Sequence, residues 1–210
     1  DRAAAQRGFQ VYQEVCAGCH SLRQIDFRHL TGIGYSEEQI KAFAAEAEVT
    51  DGPNDEGEMF DRPGIPADPV PKPFPNDQAA AASNNGKVPP DLSLMNKARI
   101  GGADYVHGIL TGYTEVPTGV ELPEGGSYNV YFPGHIIAMA APLSDEGVEY
   151  QDGTKATVAQ QAKDVVTFLA WTAEPEMEAR KSMGLKVLLF LIVFTGLSYR
   201  VKKVIWKDVH

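Results

Sequence analysis

Residues 14–22, EVCAGCHSL, contain both cysteines of this 210-residue chain, Cys16 and Cys19, and a histidine directly after the second one. Four kinds of site use two cysteines at this spacing: a disulfide, a redox dithiol, half of a zinc site, and a covalently bound haem c with the histidine as iron ligand. A structural zinc site needs a second pair of ligands at a similar spacing. The other histidines stand singly and form no second pair: His29, His107, His135 and His210.

The residues before this motif predict a helix with one apolar face. Apolar residues recur there at steps of three and four, which is typical of a helix. A thioredoxin-like dithiol would need a βαβ context, and a structural disulfide would join distant segments; the sequence favours neither. At positions i, i+3 and i+4 of one face, Cys16, Cys19 and His20 can reach the two vinyl groups and the iron of one porphyrin. The motif therefore predicts haem c, bound through both cysteines, with His20 as an iron ligand.

The net charge of −9 is unevenly distributed along the chain. From Arg180 onward there are seven basic residues and one acid, Asp208, so this part carries +6 and residues 1–179 carry −15. An acidic domain of this kind repels nucleic acid and anionic lipid surfaces and attracts basic partners. We therefore expect a basic protein partner and no nucleic acid.

The C-terminal stretch 183–206, MGLKVLLFLIVFTGLSYRVKKVIW, predicts a membrane anchor. It is uncharged from Val187 to Tyr199, and the 17 residues from Met183 to Tyr199 are at the short end of the range for a span in membrane lipid. Basic and aromatic residues at its ends suit the membrane interface. Haem c is attached on the outer side of energy-transducing membranes. We therefore expect a haem domain at 1–182 outside, an anchor at 183–206, and a cytoplasmic or matrix tail at 207–210.

Between the motif and the anchor, the sequence predicts short helices separated by loops. Ser36 and Gln39 form a predicted capping box at the start of SEEQIKAFAAEAE. PPDLSLMNKARIGG predicts a short helix after Pro90, and ADYVHGILTG predicts a second one ending at Gly112. EYQDGTKA predicts a small hairpin turning at residues 152–153, and a last helix is expected at 157–171.

A second iron ligand has to come from elsewhere in the chain. Met139, in the apolar stretch GHIIAMAAPL, is free to run extended across a haem face and is the favoured candidate. Met95, in an apolar helical turn, is the competitor, although a methionine at such a position is most often part of the core. A histidine remains a third alternative, but His107 and His135 are better explained as ordinary hydrogen-bonded residues.

Several sequence blocks, in this order, resemble the cytochrome c1 family: RGFQVYQEVCAGCHSL, DGPNDEGEMFDRPG, NNGKVPPDLSLMNKARIGGADYV, LTGY, YFPGHIIAMAAPL and AEPEMEARKSMGLKVLL. The resemblance covers nearly the whole chain. CxxCH alone is generic, whereas MFDRPG, PPDLS and AEPExxxRKxMGLK together are specific. The resemblance implies a mainly α, class I cytochrome c-like haem domain with long loop insertions and one C-terminal transmembrane helix.

The resemblance also implies roles for particular residues. His20 and Met139 would be the axial ligands, and Arg99 would pair with a haem propionate. Tyr105, Asn85 and Pro90 match family positions near the cofactor. Some relatives have a second cysteine pair as a disulfide, and this chain has none, so the loop carrying Met139 is expected to be held by packing alone. It also lacks an extended segment before the haem helix, which cleavage, lineage variation or truncation would explain.

Members of this family are the haem-bearing, non-catalytic redox subunits of the cytochrome bc1 complex, ubiquinol-cytochrome c oxidoreductase. The resemblance implies one-electron transfer from the Rieske iron-sulfur protein to a c-type cytochrome, in a complex with cytochrome b that is expected to be dimeric. The expected location is the bacterial plasma membrane with the haem domain in the periplasm, or alternatively the mitochondrial inner membrane. A free-standing membrane-anchored cytochrome serving an oxidase is one rival, and an exported dithiol or metal-binding protein without haem is another.

An acidic stretch that runs from residue 51 into the MFDRPG block suggests a docking surface. Four of its carboxylates are the candidates for partner docking: Asp55, Glu56, Glu58 and Asp61. Such a loop is often only a solvated surface. Its alternative role, implied by the family resemblance, is to attract a basic c-type cytochrome toward the haem edge.

Overall fold

Residues 1–209 are described by the computed structural model, and within them the chain forms seven α-helices. These helices are α1 Arg2–Val11, α2 Glu37–Glu46, α3 Asp77–Ser83, α4 Met95–Ala98, α5 Gly102–Thr111, α6 Val158–Ala173 and α7 Met177–Ile205. Two short antiparallel pairs join β1 Glu48–Asp51 to β2 Phe60–Pro63, and β3 Ser127–Tyr128 to β4 Ile136–Ile137. The predicted mainly α fold is confirmed. His210, the end of the predicted tail, lies outside the described residues.

The core of the first compact unit, Asp1–Ala173, forms where α1 packs against α6. Phe9 and Tyr12 of the N-terminal segment are fully buried, and both rings pack against Phe168 of α6. Close packing is possible because Gly8 faces α6: a Cβ atom there would lie 2.6 Å from the carbonyl carbon of Asp164. This crossing fixes the helix that leads into the CAGCH motif.

A buried ion pair also joins α1 to α6. The Arg7 guanidinium donates from Nε and Nη2 to both carboxylate oxygens of Asp164, at 2.9 and 3.0 Å, and the Asp164 side chain is fully buried. Arg7 also donates to Asp152 at 2.8 Å. Bidentate contacts of this kind are geometrically specific. They hold the start of the chain on the last helix of the unit.

Several local predictions are confirmed by the structure. The Ser36–Gln39 capping box is present in both directions and begins α2. Helix α5 stops at Gly112, as the glycine signal indicated, and α6 begins one residue after and ends two residues after the helix predicted at 157–171. Each of these elements has its start or stop encoded by residues within one turn, which is why the sequence was sufficient.

Two local predictions need correction. The helix expected after Pro90 is shortened to α4, because the Asp91 carboxylate accepts the Ser93 N–H and holds the segment in a turn. The hairpin expected at residues 152–153 is absent, and among the described residues this segment has no strand. Asp152 instead binds Arg7 and the Thr154 N–H, so tertiary contacts replace the strand pairing.

The second unit begins at Glu174 and consists mainly of α7. None of the α7 side chains is buried, and the mean hydropathy of its most apolar window is 1.7. By length and composition it is the one helix within residues 1–209 that could cross a membrane. It starts six residues before the predicted span at 183–206, and the predicted boundaries at 182/183 and 206/207 stay predictions.

Candidate haem site

The two cysteine thiols lie in the turn that ends the first helical segment. After α1, one π-helical turn covers Tyr12–Cys16, and the N–H groups of Cys19 and His20 both donate to the Cys16 carbonyl, at 3.1 and 2.9 Å. The predicted i, i+3 and i+4 relation is therefore kept by a turn rather than by a continuous helix. Both thiols are free, with Cys16 half-buried and Cys19 exposed.

The protonation of Cys16 argues against a redox dithiol. Burial, together with a smaller effect of the nearby Cys19, raises the pKa of its thiol to about 12. Reactive dithiols need the opposite shift, because the thiolate is the nucleophile. Within residues 1–209, no group of three or more His, Cys, Asp or Glu side chains is arranged to hold a metal ion by itself. Cys16 is thus suited to react as a thiol rather than as a thiolate.

The imidazole of His20 is oriented by a backbone carbonyl. Its Nδ1 lies 2.8 Å from the Pro90 carbonyl oxygen, which can only accept, so the proton must be on Nδ1 and the Nε2 lone pair is free. Burial lowers the pKa of His20, against smaller opposing effects of this hydrogen bond and of Asp91. A neutral imidazole with a free Nε2 is the form that binds iron. The residues therefore fit a haem ligand here.

Asp91, which the sequence did not single out, holds the Pro90 segment in place. Its Oδ2 accepts from Ser21 Oγ at 2.8 Å and from the Arg23 N–H at 2.9 Å. Its Oδ1 accepts the Ser93 N–H at 3.0 Å. Asp91 therefore supports His20 indirectly, because it holds the segment whose Pro90 carbonyl binds the imidazole. In the sequence, the Pro90-Asp91 pair of PPDLS was the signal that could have indicated this role of Asp91.

Met139 lies two residues beyond β4 and is half-buried. Its backbone carbonyl accepts a hydrogen bond from the Tyr113 hydroxyl, at 3.0 Å. Burial raises the pKa of Tyr113 to about 12, so this hydroxyl stays a donor at neutral pH. The expectation that packing alone holds this loop is therefore wrong, because hydrogen bonds also hold it. The competing candidate, Met95, is buried in the core at the start of α4.

The four other residues that the resemblance placed near the cofactor differ in how exposed they are and in what they contact. Pro90 lies against His20, as described above, and Tyr105 is half-buried beside the core. Arg99 directly follows α4, is exposed, and has no carboxylate partner among residues 1–209; its Nη1 donates to the Ala98 carbonyl at 3.3 Å. Asn85 is exposed with a positive φ of 50°. Its side chain lies against Gly125, where a Cβ atom would be 2.8 Å from the Asn85 Cγ.

Three of the predicted docking carboxylates, Asp55, Glu56 and Glu58, lie on the loop that joins β1 to β2, and the fourth, Asp61, lies in β2. Asn54 Oδ1 accepts from the N–H groups of Glu56 and Glu58, at 3.0 and 2.9 Å, which orders the loop tip. Asp61 differs from the others, since Thr50 Oγ1 donates to its carboxylate at 2.7 Å. Within residues 1–209, no ion pair neutralises Asp55, Glu56 or Glu58.

A CxxCH turn with an oriented neutral histidine, on a mainly helical domain followed by an apolar helix, is typical of the cytochromes, the haem proteins of electron transfer. Comparisons with known proteins agree with this class. The sequence profile of the Cytochrome C1 family matches residues 1–209. This chain belongs to the cytochrome c1 family, a family of haem proteins.

Three similar proteins cover the whole of this chain. One is "Cytochrome b/c1" of Bradyrhizobium diazoefficiens, 54% identical, of which the chain covers 34%. Another is "Cytochrome c1, heme protein, mitochondrial" of Schizosaccharomyces pombe, 53% identical, of which it covers 68%. The third is "Cytochrome b-c1 complex catalytic subunit, mitochondrial" of Candida albicans, 53% identical, of which it covers 73%. The chain thus spans about a third of the first protein and about two thirds or more of the others.

Proposed function

We propose that this chain is the haem-bearing, one-electron transfer subunit of a cytochrome bc1 complex. It would receive electrons from a Rieske iron-sulfur protein and pass them to a c-type cytochrome. The observation that carries the proposal is the hydrogen bond between His20 Nδ1 and the Pro90 carbonyl, directly after the CxxC pair. This contact leaves a free, oriented Nε2 beside two free thiols. The name of the Candida albicans relative, a subunit of the b-c1 complex, supports the assembly.

The two thiols would hold haem c covalently. The S–H groups of Cys16 and Cys19 would each add across one vinyl group of the porphyrin, with the sulfur bonding to one vinyl carbon and the hydrogen going to the other. This addition needs no oxidant or reductant. The turn that brings the Cys19 N–H onto the Cys16 carbonyl keeps the thiols one turn apart. Open space around Gly18 leaves the motif accessible.

His20 Nε2 and the Met139 sulfur are proposed as the two protein ligands that would hold the haem iron. Haem, when bound, supplies an Fe(III)/Fe(II) couple, whose potential is raised because a soft thioether favours Fe(II). The Pro90 carbonyl increases the basicity of the imidazole by accepting its Nδ1 proton. The chain's own residues thus set both the orientation and the strength of the ligands.

Arg99, Tyr105, Asn85 and Pro90 are proposed to surround the cofactor. Arg99 is available for a propionate, since no carboxylate among the described residues engages it and a guanidinium binds carboxylates in a fork-shaped geometry. Tyr105 sits on the same helix as Val106, one of the core residues, so its position is fixed by α5.

The proposed complex is an assembly with cytochrome b and the Rieske protein, held in the membrane by α7. The haem domain would face the periplasm of a bacterial plasma membrane or, alternatively, the mitochondrial intermembrane space. Quinol oxidation would belong to the complex and not to this chain. Co-purification of cytochrome b and the Rieske protein with the chain tests the assembly.

Covalent attachment is tested by extracting the purified chain with acidified acetone. We expect the colour to remain with the precipitated protein, because thioether bonds survive this treatment. The double variant Cys16→Ala/Cys19→Ala is the matched control and should release any haem that it binds. Colour in the organic phase of the parent protein would contradict the proposed thioethers.

A further inference from the structure

A fully buried asparagine binds the loop before Met139 to the end of α5. Asn129 has no solvent exposure, and its Nδ2 donates to the Ile109 carbonyl at 2.7 Å. That carbonyl belongs to the last turn of α5, where no intrahelical donor is available. The side chain therefore caps a helix end from a distant part of the chain.

The oxygen of the same side-chain amide fixes the turn that follows Asn129. Asn129 Oδ1 accepts the N–H groups of Tyr131 and Phe132, at 3.0 and 3.2 Å. The Asn129 N–H donates to the His135 carbonyl at 2.8 Å, so residues 129–135 form a closed loop. All hydrogen-bonding atoms of the Asn129 side chain are thus in use, which a buried amide requires.

This closed loop continues directly into the segment that carries Met139. Strand β4, at 136–137, pairs with β3, and the Tyr113 hydroxyl donates to the Met139 carbonyl at 3.0 Å. Tyr113 itself pairs with Asn129 through a backbone bridge. The two polar side chains therefore hold the Met139 segment at two points, the loop before it and the Met139 carbonyl, and both contacts lead back to α5 or the residues just after it.

We propose that Asn129 and Tyr113 are positioning residues that hold the Met139 thioether in place as a haem ligand, the role that a disulfide would have in a cross-linked loop. The proposal rests on the proposed assignment of Met139 as a ligand. Asparagine supplies both the donor and the acceptor that position 129 uses, whereas alanine offers neither and an ionised aspartate cannot donate to the Ile109 carbonyl. A thioether is a neutral and replaceable ligand, so its occupancy depends on how firmly its loop is held.

The test measures how easily added imidazole replaces the thioether in the ferric holoprotein, using the full chain. Variants Asn129→Ala, Asn129→Asp and Tyr113→Phe are compared with the parent by titration with imidazole. We expect the apparent dissociation constant to fall on the order of tenfold in the Asn129 variants, since leaving buried partners unpaired loosens the loop by about the free energy of one such hydrogen bond. In Tyr113→Phe we expect a fall of roughly two- to tenfold.

A matched control separates positioning from general destabilisation. Gln161 is also a fully buried amide that joins a loop to a helix, donating to the Ser144 and Ala156 carbonyls at 2.6 Å each. Gln161→Ala should unfold at a lower temperature and keep the parent's affinity for imidazole. An equal gain in affinity in Gln161→Ala would overturn the proposal. Because Tyr113→Phe removes one hydroxyl only, it remains informative if the Asn129 variants do not fold.

Two reference variants distinguish this inference from the ligand assignment. Met139→Leu should abolish the weak long-wavelength sulfur-to-iron(III) band, and Met95→Leu should not. If Met95→Leu alone abolishes the band, the ligand assignment fails. If Met139→Leu abolishes it while the Asn129 and Tyr113 variants bind imidazole like the parent, only the positioning inference fails.

Discussion

Among single residues, Asp91 is the carboxylate that fixes the surroundings of His20. Its two oxygens accept from Ser21, Arg23 and Ser93, and the carbonyl of the preceding Pro90 accepts from the imidazole. Burial by itself would raise the pKa of Asp91, but the hydrogen bonds from the Arg23 N–H and from Ser93 and Ser21 outweigh it, so the pKa is lowered. The ionised form is therefore the one that stabilises the fold.

This lowered pKa predicts a loss of stability in acid. A carboxylate with a lower pKa when folded contributes its full stability above its unfolded pKa of about 4, and loses it as the pH falls toward the folded value. We expect Asp91→Asn to be less stable than the parent at neutral pH, and the difference to shrink as the pH falls below the unfolded pKa of about 4. Thermal unfolding across this pH range measures it. The exposed Asp77→Asn serves as the control, and a pH-independent difference for Asp91→Asn would contradict the prediction.

Among the elements, the crossing of α1 over α6 depends on Gly8. The backbone of α6 passes so close that a Cβ at Gly8 would also lie 2.8 Å from the Phe168 Cβ, as well as meeting the Asp164 backbone. Neither the Asp164 backbone nor the Phe168 Cβ can move aside as the end of a flexible side chain could, so the two helices would have to separate. This separation would also disturb the Arg7–Asp164 ion pair one residue away.

We therefore expect Gly8→Ala to destabilise the haem domain by about 3 kcal/mol or more, the upper part of the range for overpacked cores. The measurement is thermal unfolding, together with the yield of haem-containing protein. Gly184→Ala, in α7, is the matched control, because its Cβ would meet nothing within 4 Å. Alanine is the better helix former at both sites, so a stable Gly8→Ala protein would show that the helices do not cross this closely.

The β1–β2 hairpin is the element proposed to attract a basic c-type cytochrome. Arg62 binds both Asp51 and Asp68, so its single positive charge offsets part of the charge of these two carboxylates. Asp55, Glu56 and Glu58 have no ion pair within residues 1–209, and the hydroxyl of Thr50 that binds Asp61 leaves the charge of that carboxylate in place. Exposed Met59 and Phe60 follow immediately and add apolar surface to the same loop.

Changing Asp55, Glu56 and Glu58 to their amides should slow reduction of a basic cytochrome c mainly at low salt. Steering of this kind raises association by about 10 to 10³-fold and weakens as the Debye length falls from roughly 30 Å at 0.01 M to about 8 Å at 0.15 M. Stopped-flow rates across a salt series measure the effect. The triple amide variant of Asp145, Glu146 and Glu149 has the same net charge change. Equal rates in both triple variants would mean that the hairpin has no special role.

In the whole molecule, the core belongs entirely to the first unit. Every buried core residue lies between Ala5 and Leu169, and α7 contributes no buried side chain. The apolar residues of α7 therefore need another environment, and membrane lipid supplies it. We therefore expect the first unit to fold without α7.

A chain ending at Ser182 should consequently be soluble, red and reducible. Its haem spectrum should match that of the full chain, because no residue proposed to hold the cofactor lies beyond Met139. A chain ending at Thr157 is the control: it lacks α6 and should give no stable haem protein. Aggregated or colourless protein from the Ser182 truncation would show that α7 is needed for folding.

Much of this architecture was predictable because the signals are local. The CxxCH spacing, the Ser36–Gln39 capping box, the glycine stop at 112 and the apolar run at 187–199 each involve residues close together in the chain. The hairpin predicted at 152–153 does not form, although its turn signal is present in the sequence. Asp152 had a stronger partner in Arg7, 145 residues away, which no local pattern contains.

The amino-acid sequence by itself determined the haem motif, the mainly helical class and the apolar helix, since these depend on residue type and short spacing. Only the tertiary structure decided which nitrogen of His20 is free, because its partner Pro90 is 70 residues away. The same holds for Asn129, whose amide caps a helix 20 residues earlier. A buried polar group must find a partner, but many carbonyls are available in a chain, and packing alone selects the one within hydrogen-bonding distance.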